Sequence, residues 1–243
     1  MRRLVIDMGS SRTKVAVFNS NELENQATLE APIAEQLKDW LPDPHTIQAC
    51  VLSSVASEDP ALLSFLSSFP FFVQVEAGMR TPLKMAYESP ETLGNDRLAA
   101  AIGAWFIHPG KDLLVIDAGT CITMDLVTHD ATYHGGSISP GLMMRFRAMH
   151  QFTARLPLVS PSDDASLTGR NTAASIRSGA QNGILAEVDG MVARYRQQFP
   201  HLKVVLTGGD ASFFESNLKF DIFVAPNLVL EGLNYILNEH TTH

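Results

Sequence analysis

Leu4-Val5-Ile6-Asp7-Met8-Gly9-Ser10-Ser11-Arg12-Thr13-Lys14-Val15-Ala16-Val17-Phe18 is the stretch from which the fold can be read. Two apolar runs flank a polar turn. Leu4 to Ile6 read as a strand that delivers Asp7 to its tip, Gly9, Ser10 and Ser11 carry the turn signal, and Val15 to Phe18 read as the returning strand of a hairpin. A turn of small residues lets backbone N–H groups approach a phosphate closely, and the two serine hydroxyls add donors. Asp7 is suited to hold magnesium through water, because that ion keeps several waters and needs few carboxylates. Lys14 adds a positive charge on the far side. The pattern differs from the Gly-rich Lys-Ser/Thr phosphate loop, which leads into a helix. Taken alone, the stretch is also compatible with an ordinary hairpin turn.

A second copy weighs against that plain reading. The run Leu113-Leu-Val-Ile-Asp117-Ala-Gly119-Thr120-Cys-Ile-Thr123-Met-Asp125-Leu-Val127 again ends an apolar strand in Asp-x-Gly-hydroxyl and continues into another strand. Asp117 follows Asp7 by 110 residues, close to half of the 243-residue chain. Two phosphate-cradling hairpins, one per half, point to a nucleotide held in a cleft between duplicated domains. The helix breaker Pro109-Gly110 puts the boundary near His108 to Asp112, which gives halves 1–110 and 111–243.

Composition narrows the function. Hydrophobic residues make up 45% and charged residues 18%, the balance of a globular chain with ample length for a core. A net charge of −8 argues against nucleic acid as a general partner, because phosphate backbones demand a basic surface. Cys50 and Cys121 both sit in apolar runs, so buried thiols are expected rather than a disulfide framework. Met1-Arg2-Arg3 resembles the start of a signal peptide, but Asp7 interrupts the apolar run. No run approaches the length needed to span a bilayer, so no membrane is expected and a cytoplasmic location follows.

Between the hairpins, Asn19 to Asn25 read as a polar turn and Glu30 to Leu41 as a short helix. Gln48 to Val55 read as a buried strand, Pro60 to Ser68 as a helix and Phe71 to Val75 as a strand. Strand, helix, strand implies a parallel sheet with covering helices. Tyr87 then precedes the loop Pro90 to Gly94 and an apolar helix from Leu98 to Phe106, with Asn95 as its N-cap. Asp96 lies in the first turn, where the helix dipole favours its ionised form, and Arg97 is expected at the same exposed end. A plain helix start is the competing reading. In the second half, Thr128 to Tyr133 read as a polar turn and His134 to Gly141 as a glycine-rich loop. That loop either meets a ligand or only connects to a helix from Leu142 to about Thr153. Leu156 to Thr168 read as an exposed loop. Thr172 to about Phe199 read as helical, with Gly179 and Gly183 suggesting close helix packing. Lys203 to Asp210 form a strand running into the Gly208-Gly209 pair, which suits an adenine, a ribose or only a turn. Phe223 to Leu237 close as a strand end and a last helix.

The ordered series of motifs resembles the type III pantothenate kinases of the actin-like, sugar-kinase-like ATPase superfamily. It comprises Asp7-x-Gly9-x-x-x-x-Lys14, Tyr87…Gly94-x-Asp96-Arg97, Asp117-x-Gly119-Thr120-x-x-Thr123-x-Asp125, Gly135-Gly136-x-Ile138-x-Pro140-Gly141, Thr172, Gly208-Gly209 and Pro226…Leu230-x-Gly232-Leu233. The resemblance implies an α/β fold of two duplicated ribonuclease H-like, actin-like ATPase domains with mixed sheets and a cleft between them. It implies ATP-dependent phosphorylation of pantothenate to 4′-phosphopantothenate, the first step of coenzyme A biosynthesis. By the same resemblance, Asp7, Met8, Gly9, Ser10, Ser11, Arg12, Thr13 and Lys14 bind ATP with Mg2+, and Thr120 also meets ATP. Asp117 resembles the ligand of a monovalent cation, potassium or ammonium. Tyr87, Gly94, Asn95, Asp96, Arg97 and Thr172 resemble the pantothenate set, with Asp96 the proton acceptor. A homodimer is implied as well. The Gly208-Gly209 turn falls where the superfamily places its adenosine loop. One departure stands out: Ser10-Ser11 replaces the family's usual Asn-Thr, which keeps a hydrogen-bond donor and points to an altered nucleotide affinity.

The chemistry fits that substrate. Arg97 can pair a carboxylate with its planar fork, and Asp96 can accept a hydroxyl proton. The competing functions are another superfamily kinase or phosphatase, which lacks the Tyr87…Gly-x-Asp-Arg segment, and a non-catalytic transcriptional accessory protein. The acidic charge and two intact hairpins speak against the accessory protein.

Overall fold

The apolar runs flanking Asp7 and Asp117 form strands, and each pair of strands heads its own sheet. The computed structural model describes residues 1–9, 12–54, 59–76 and 78–241. Its strands are β1 (Arg2–Met8), β2 (Thr13–Asn19), β3 (Glu22–Leu29), β4 (Ile47–Ser54), β5 (Phe72–Gln74), β6 (Lys84–Met85), β7 (Leu113–Ala118), β8 (Cys121–Thr128), β9 (Thr132–Pro140), β10 (Lys203–Thr207) and β11 (Phe223–Val224). Its α-helices are α1 (Ile33–Trp40), α2 (Pro60–Leu66), α3 (Asn95–Ile107), α4 (Leu142–Gln151), α5 (Thr172–Arg177), α6 (Gly183–Gln198), α7 (Ala211–Asn217) and α8 (Leu228–Thr241). Packing divides the chain into two units. One is Met1–Gly110 with Asp130–His134 and Asn227–His243; the other is Lys111–His129 with Gly135–Pro226.

In the first unit the strand order is β3-β2-β1-β4-β5. β1 runs antiparallel to β2 and parallel to β4, so a hairpin is followed by crossover strands. Leu4, Ile6, Val15, Val17, Cys50 and Leu52 pack on one face with Ile33 and Leu37 of α1 and Leu62 and Leu66 of α2. Val5, Ala16 and Val51 face the other way and are also buried. Burial on both faces explains why these strands read as continuous apolar runs. α3 and α8 pack closely together. A Cβ on Gly232 would come within 1.8 Å of Ala99 O, and one on Gly103 within 2.5 Å of Leu228 O, so the two backbones approach where only glycine fits. Arg3, itself buried, ties α8 to β1. Its guanidinium donates to Ser20 O at 3.1 Å, to Asn234 Oδ1 at 3.3 Å and to Asn238.

The second unit repeats the plan in the order β9-β8-β7-β10-β11. β7 is antiparallel to β8 and parallel to β10. Leu114, Ile116 and Ala118 of β7 pack against Phe146 of α4, Ile176 of α5, Ile184 and Val188 of α6 and Phe214 of α7. The start of β9, within the first unit, takes β6 as a parallel neighbour.

Several sequence expectations are corrected. Asn19 to Asn25 are not all turn, because β3 begins at Glu22. It is an edge strand whose polar residues are mostly exposed, so it carries no apolar signal. His134 to Gly141 are not a free loop, since β9 extends to Pro140. A Cβ on Gly136 would meet Met124 O at 1.6 Å, so this glycine lets two strands approach. The helical stretch from Thr172 is three pieces, with a π-helical turn over Ser178–Asn182 between α5 and α6. A Cβ on Gly179 or Gly183 would meet nothing within 4 Å, so neither glycine marks a close helix contact. Both cysteines are free thiols; burial pushes Cys50 up to about 12, and Cys121 is half-buried rather than buried. Among the described residues, no helix is long and apolar enough to cross a membrane.

Candidate active site

The first hairpin brings Asp7 directly opposite Lys14 in the β1–β2 ladder, with Met8 opposite Thr13. Directly opposed residues share a face, so both side chains leave the same side of the sheet at the strand tips. On its other flank Asp7 is level with Ser53 of β4, which is buried. Gly9 N–H donates to Arg12 O at 3.1 Å and closes the turn. Arg12 is exposed and Thr13 buried, while Ser10 and Ser11 lie outside the described residues.

The second hairpin is tighter, with Asp117 opposite Thr123 and Ala118 opposite Ile122. Gly119 N–H donates to Cys121 O at 2.9 Å, and Thr120 stands exposed at the tip. Thr207 of β10 is level with Asp117 on the other side. Two glycine turns close on this hairpin. Gly208 has φ of +100°, and a Cβ there would lie 2.5 Å from Asp117 Oδ1 and 2.3 Å from Ala118 O. Gly141 N–H donates to Thr120 O at 3.1 Å, and a Cβ on Gly141 would lie 2.2 Å from Gly119 O. The corner holding Gly141 is pinned by Arg145, which donates to Pro140 O at 2.9 Å and pairs with Glu187. Burial pushes the Glu187 carboxyl up, but hydrogen bonds to Ser139 and Arg145 and the Arg145 charge outweigh it, and its pKa ends below the ordinary value.

The start of α3 differs from its expectation in two ways. Gly94, not Asn95, occupies the N-cap position, and Asn95 instead donates its side-chain amide to Val75 O at 3.0 Å. Arg97 is not at an exposed end: it is 7% exposed. Its guanidinium carbon lies 5.8 Å from the centre of the Tyr87 ring, a cation–π arrangement that orients the fork. Asp96 is half-buried in the first turn, and its Oδ1 accepts the Arg97 N–H at 2.8 Å. A Cβ on Gly94 would lie 2.6 Å from Asp96 Oδ1, so a larger residue there would push this carboxylate aside. Behind Tyr87 stands a residue that the motif reading missed. Tyr133 is fully buried and meets the Tyr87 ring edge-on, with centroids 6.0 Å apart. Only its place two residues before Gly135 hinted at it. Thr172 is exposed at the first position of α5, in the second unit, where Asn171 caps the helix through Ala174 N–H at 2.9 Å.

Duplicated hairpin-led sheets, each presenting an acid at a strand tip, form the fold of the actin-like, sugar-kinase-like class. Solved structures of that class share the fold. The activator of the 2-hydroxyisocaproyl-CoA dehydratase of Clostridium difficile, with bound ADPNP, matches over 100% of this chain and 96% of its own at a TM-score of 0.59 and 13% identity. A Campylobacter jejuni protein provisionally described as a Baf family transcriptional activator matches over 99% and 100%, at a TM-score of 0.62 and 22% identity. At those identities the likeness carries the fold alone. The type III pantothenate kinase family model matches residues 3–194. A type III pantothenate kinase of Christiangramia forsetii is 43% identical over 240 residues, covering 98% of this chain and 99% of its own. The chain belongs to the type III pantothenate kinase family.

Proposed function

We propose that this chain transfers the terminal phosphoryl group of ATP to the primary hydroxyl of pantothenate, the first step toward coenzyme A. The observation that carries the reading is the start of α3, where a buried guanidinium held against Tyr87 adjoins a first-turn carboxylate. Arg97 pairs the pantothenate carboxylate with its fork. Asp96 keeps Oδ1 on its own helix and uses Oδ2 to take the hydroxyl proton as the oxygen bonds to phosphorus and the bond to the ADP oxygen breaks. Tyr87, Gly94, Asn95 and Thr172 complete the substrate set, and Tyr133 is a positioning residue that holds Tyr87. The transition state is loose, so charge neutralisation and alignment outweigh the base.

The first hairpin, Asp7 to Lys14, serves the triphosphate: Lys14 supplies charge and the turn supplies N–H donors. Thr120 adds a hydroxyl. Asp7, beside Ser53, suits a water-mediated Mg2+ contact. Asp117 suits potassium or ammonium, because its strand neighbours Thr123 and Thr207 and the crowded Ala118 carbonyl offer oxygen donors alone. These cations offset the charge of the phosphates when bound. The two halves, 1–110 and 111–243, act as the two ATPase domains, with α8 of the second half lent to the first unit. The protein works as a homodimer in the cytoplasm. In support of pairing, Ile138, Phe152, Leu158 and Leu167 of the second unit are exposed by 57% or more.

A coupled assay with ATP and magnesium tests the reading, with pantothenate, hexoses and polyphosphate supplied in turn and potassium present or withheld. Turnover of pantothenate alone, stimulated by potassium, is the expected result. Turnover of a hexose instead would sink it.

A further inference from the structure

The second unit holds a cleft of about 690 Å³ at the end of its sheet opposite Asp117. Lys111 precedes β7, His201 and Lys203 lead into β10, Lys219 and Asp221 precede β11, and Arg196 lies in the last turn of α6; all six line it. β7, β10 and β11 are parallel, so their leading ends converge here. Thr207, level with Asp117, lies four residues beyond Lys203, a separation of roughly 13 Å along a strand.

The cleft is basic in an acidic protein. Four of the chain's 18 Lys and Arg residues line it against one carboxylate, while the net charge of the whole chain is −8. Among the described residues, none of Lys111, Arg196, Lys203 and Lys219 forms an ion pair. The neighbouring acid Asp112 is engaged elsewhere, accepting from His129 N–H at 2.8 Å and facing His129 Nδ1 at 3.1 Å. Arg196 is oriented rather than loose: its guanidinium carbon lies 5.0 Å from the centre of the Phe220 ring. A guanidinium stacked on a ring keeps its N–H edge available, and such an edge matches phosphate oxygens. Unpaired like charges repel one another, and an anion of three or four charges relieves that repulsion.

We propose that this cleft is a second, non-catalytic binding site for a small molecule carrying a diphosphate group. Inorganic pyrophosphate and a nucleoside diphosphate share that chemistry. The inference is independent of the kinase reading, because it uses no residue of either hairpin or of the start of α3.

Isothermal titration of the full chain with pyrophosphate and, separately, with ADP tests it, at about 0.15 M salt, where the Debye length of about 8 Å screens scattered surface charge. Lys14→Ala disables the phosphate hairpin and should leave pyrophosphate binding in place. Adding Lys203→Ala and Lys219→Ala should then weaken that binding about tenfold or more, the cost of two charge-assisted contacts. In an otherwise intact chain, the same double change should leave the KM for ATP unaltered. In the Lys14→Ala chain, ADP binding that Lys203→Ala and Lys219→Ala weaken more than they weaken pyrophosphate binding supports a nucleotide ligand in the cleft; an equal weakening of both supports recognition of the diphosphate alone. Binding that vanishes with Lys14→Ala, that ignores the double change, or that sulfate displaces equally well at matched ionic strength overturns the proposal.

Discussion

The two hairpins begin alike and end differently. Each carries an acid at the tip of a buried strand, Asp7 in β1 and Asp117 in β7. Across the ladder, Asp7 meets a lysine and Asp117 meets a threonine. The first tip thus sets a lysine opposite its acid. The second is walled by the Gly208 and Gly141 turns and surrounded by hydroxyl and carbonyl oxygens. One repeated plan thus presents a cationic partner in one half and a hydroxyl in the other, and under the proposed function that difference suits the first tip to phosphate and the second to a cation.

The largest expected effect removes the feature unique to the first hairpin. Lys14→Ala should lower kcat/KM by about 10²–10³, the usual loss for one preorganised transition-state contact. Asp7→Ala should cost as much as Asp96→Asn when turnover is measured side by side; a near-normal Asp7 variant breaks the role given to the first tip.

Asp117→Asn should instead act through the cation. Activation titrated with potassium at constant ionic strength should shift by roughly 10–100-fold, at least what loss of a supporting metal partner costs. An unchanged potassium curve would make the two tips functionally equivalent.

Tyr133→Leu removes the ring behind Tyr87. An aromatic pair contributes about 0.5–1.5 kcal/mol, so the KM for pantothenate should rise about 2–10-fold with kcat and the KM for ATP unmoved. A parallel fall in every parameter would mean that Tyr133 only stabilises the fold.

The smallest effect concerns the pinned corner beside the second hairpin. The Glu187 carboxyl is held below its ordinary value in the folded chain, so its contribution is present above the unfolded value of 4.5 and is lost as pH falls through the folded value. Glu187→Gln should cost about 1 kcal/mol or less, given a partly exposed pair, and the difference in Tm from the parent should vanish at acid pH.

The hairpins were legible because both faces of β1 and β7 are buried, which leaves long apolar runs ending abruptly in Asp-x-Gly. β3 was not, because an edge strand with polar side chains looks like a turn. β9 was read as a loop because its glycines serve strand approach, and glycine-rich segments of either kind look alike. Asn95 has the composition of a cap, yet Val75, twenty residues earlier, claims its side chain. Local pattern cannot reveal a partner so far along the chain.

The order of residues along this chain was enough for the repeated strand–turn–strand plan and the family, since both reside in local spacing. It also identified Asp7, Lys14, Asp96, Arg97 and Asp117 as the residues to examine. Packing alone decided that Arg97 is buried against Tyr87 with Tyr133 behind it, that α8 fastens α3 through Gly103 and Gly232, and that Gly208 crowds the carboxylate of Asp117. Those are meetings between segments distant in sequence, and their geometry exists only once the backbones that carry them have been brought together.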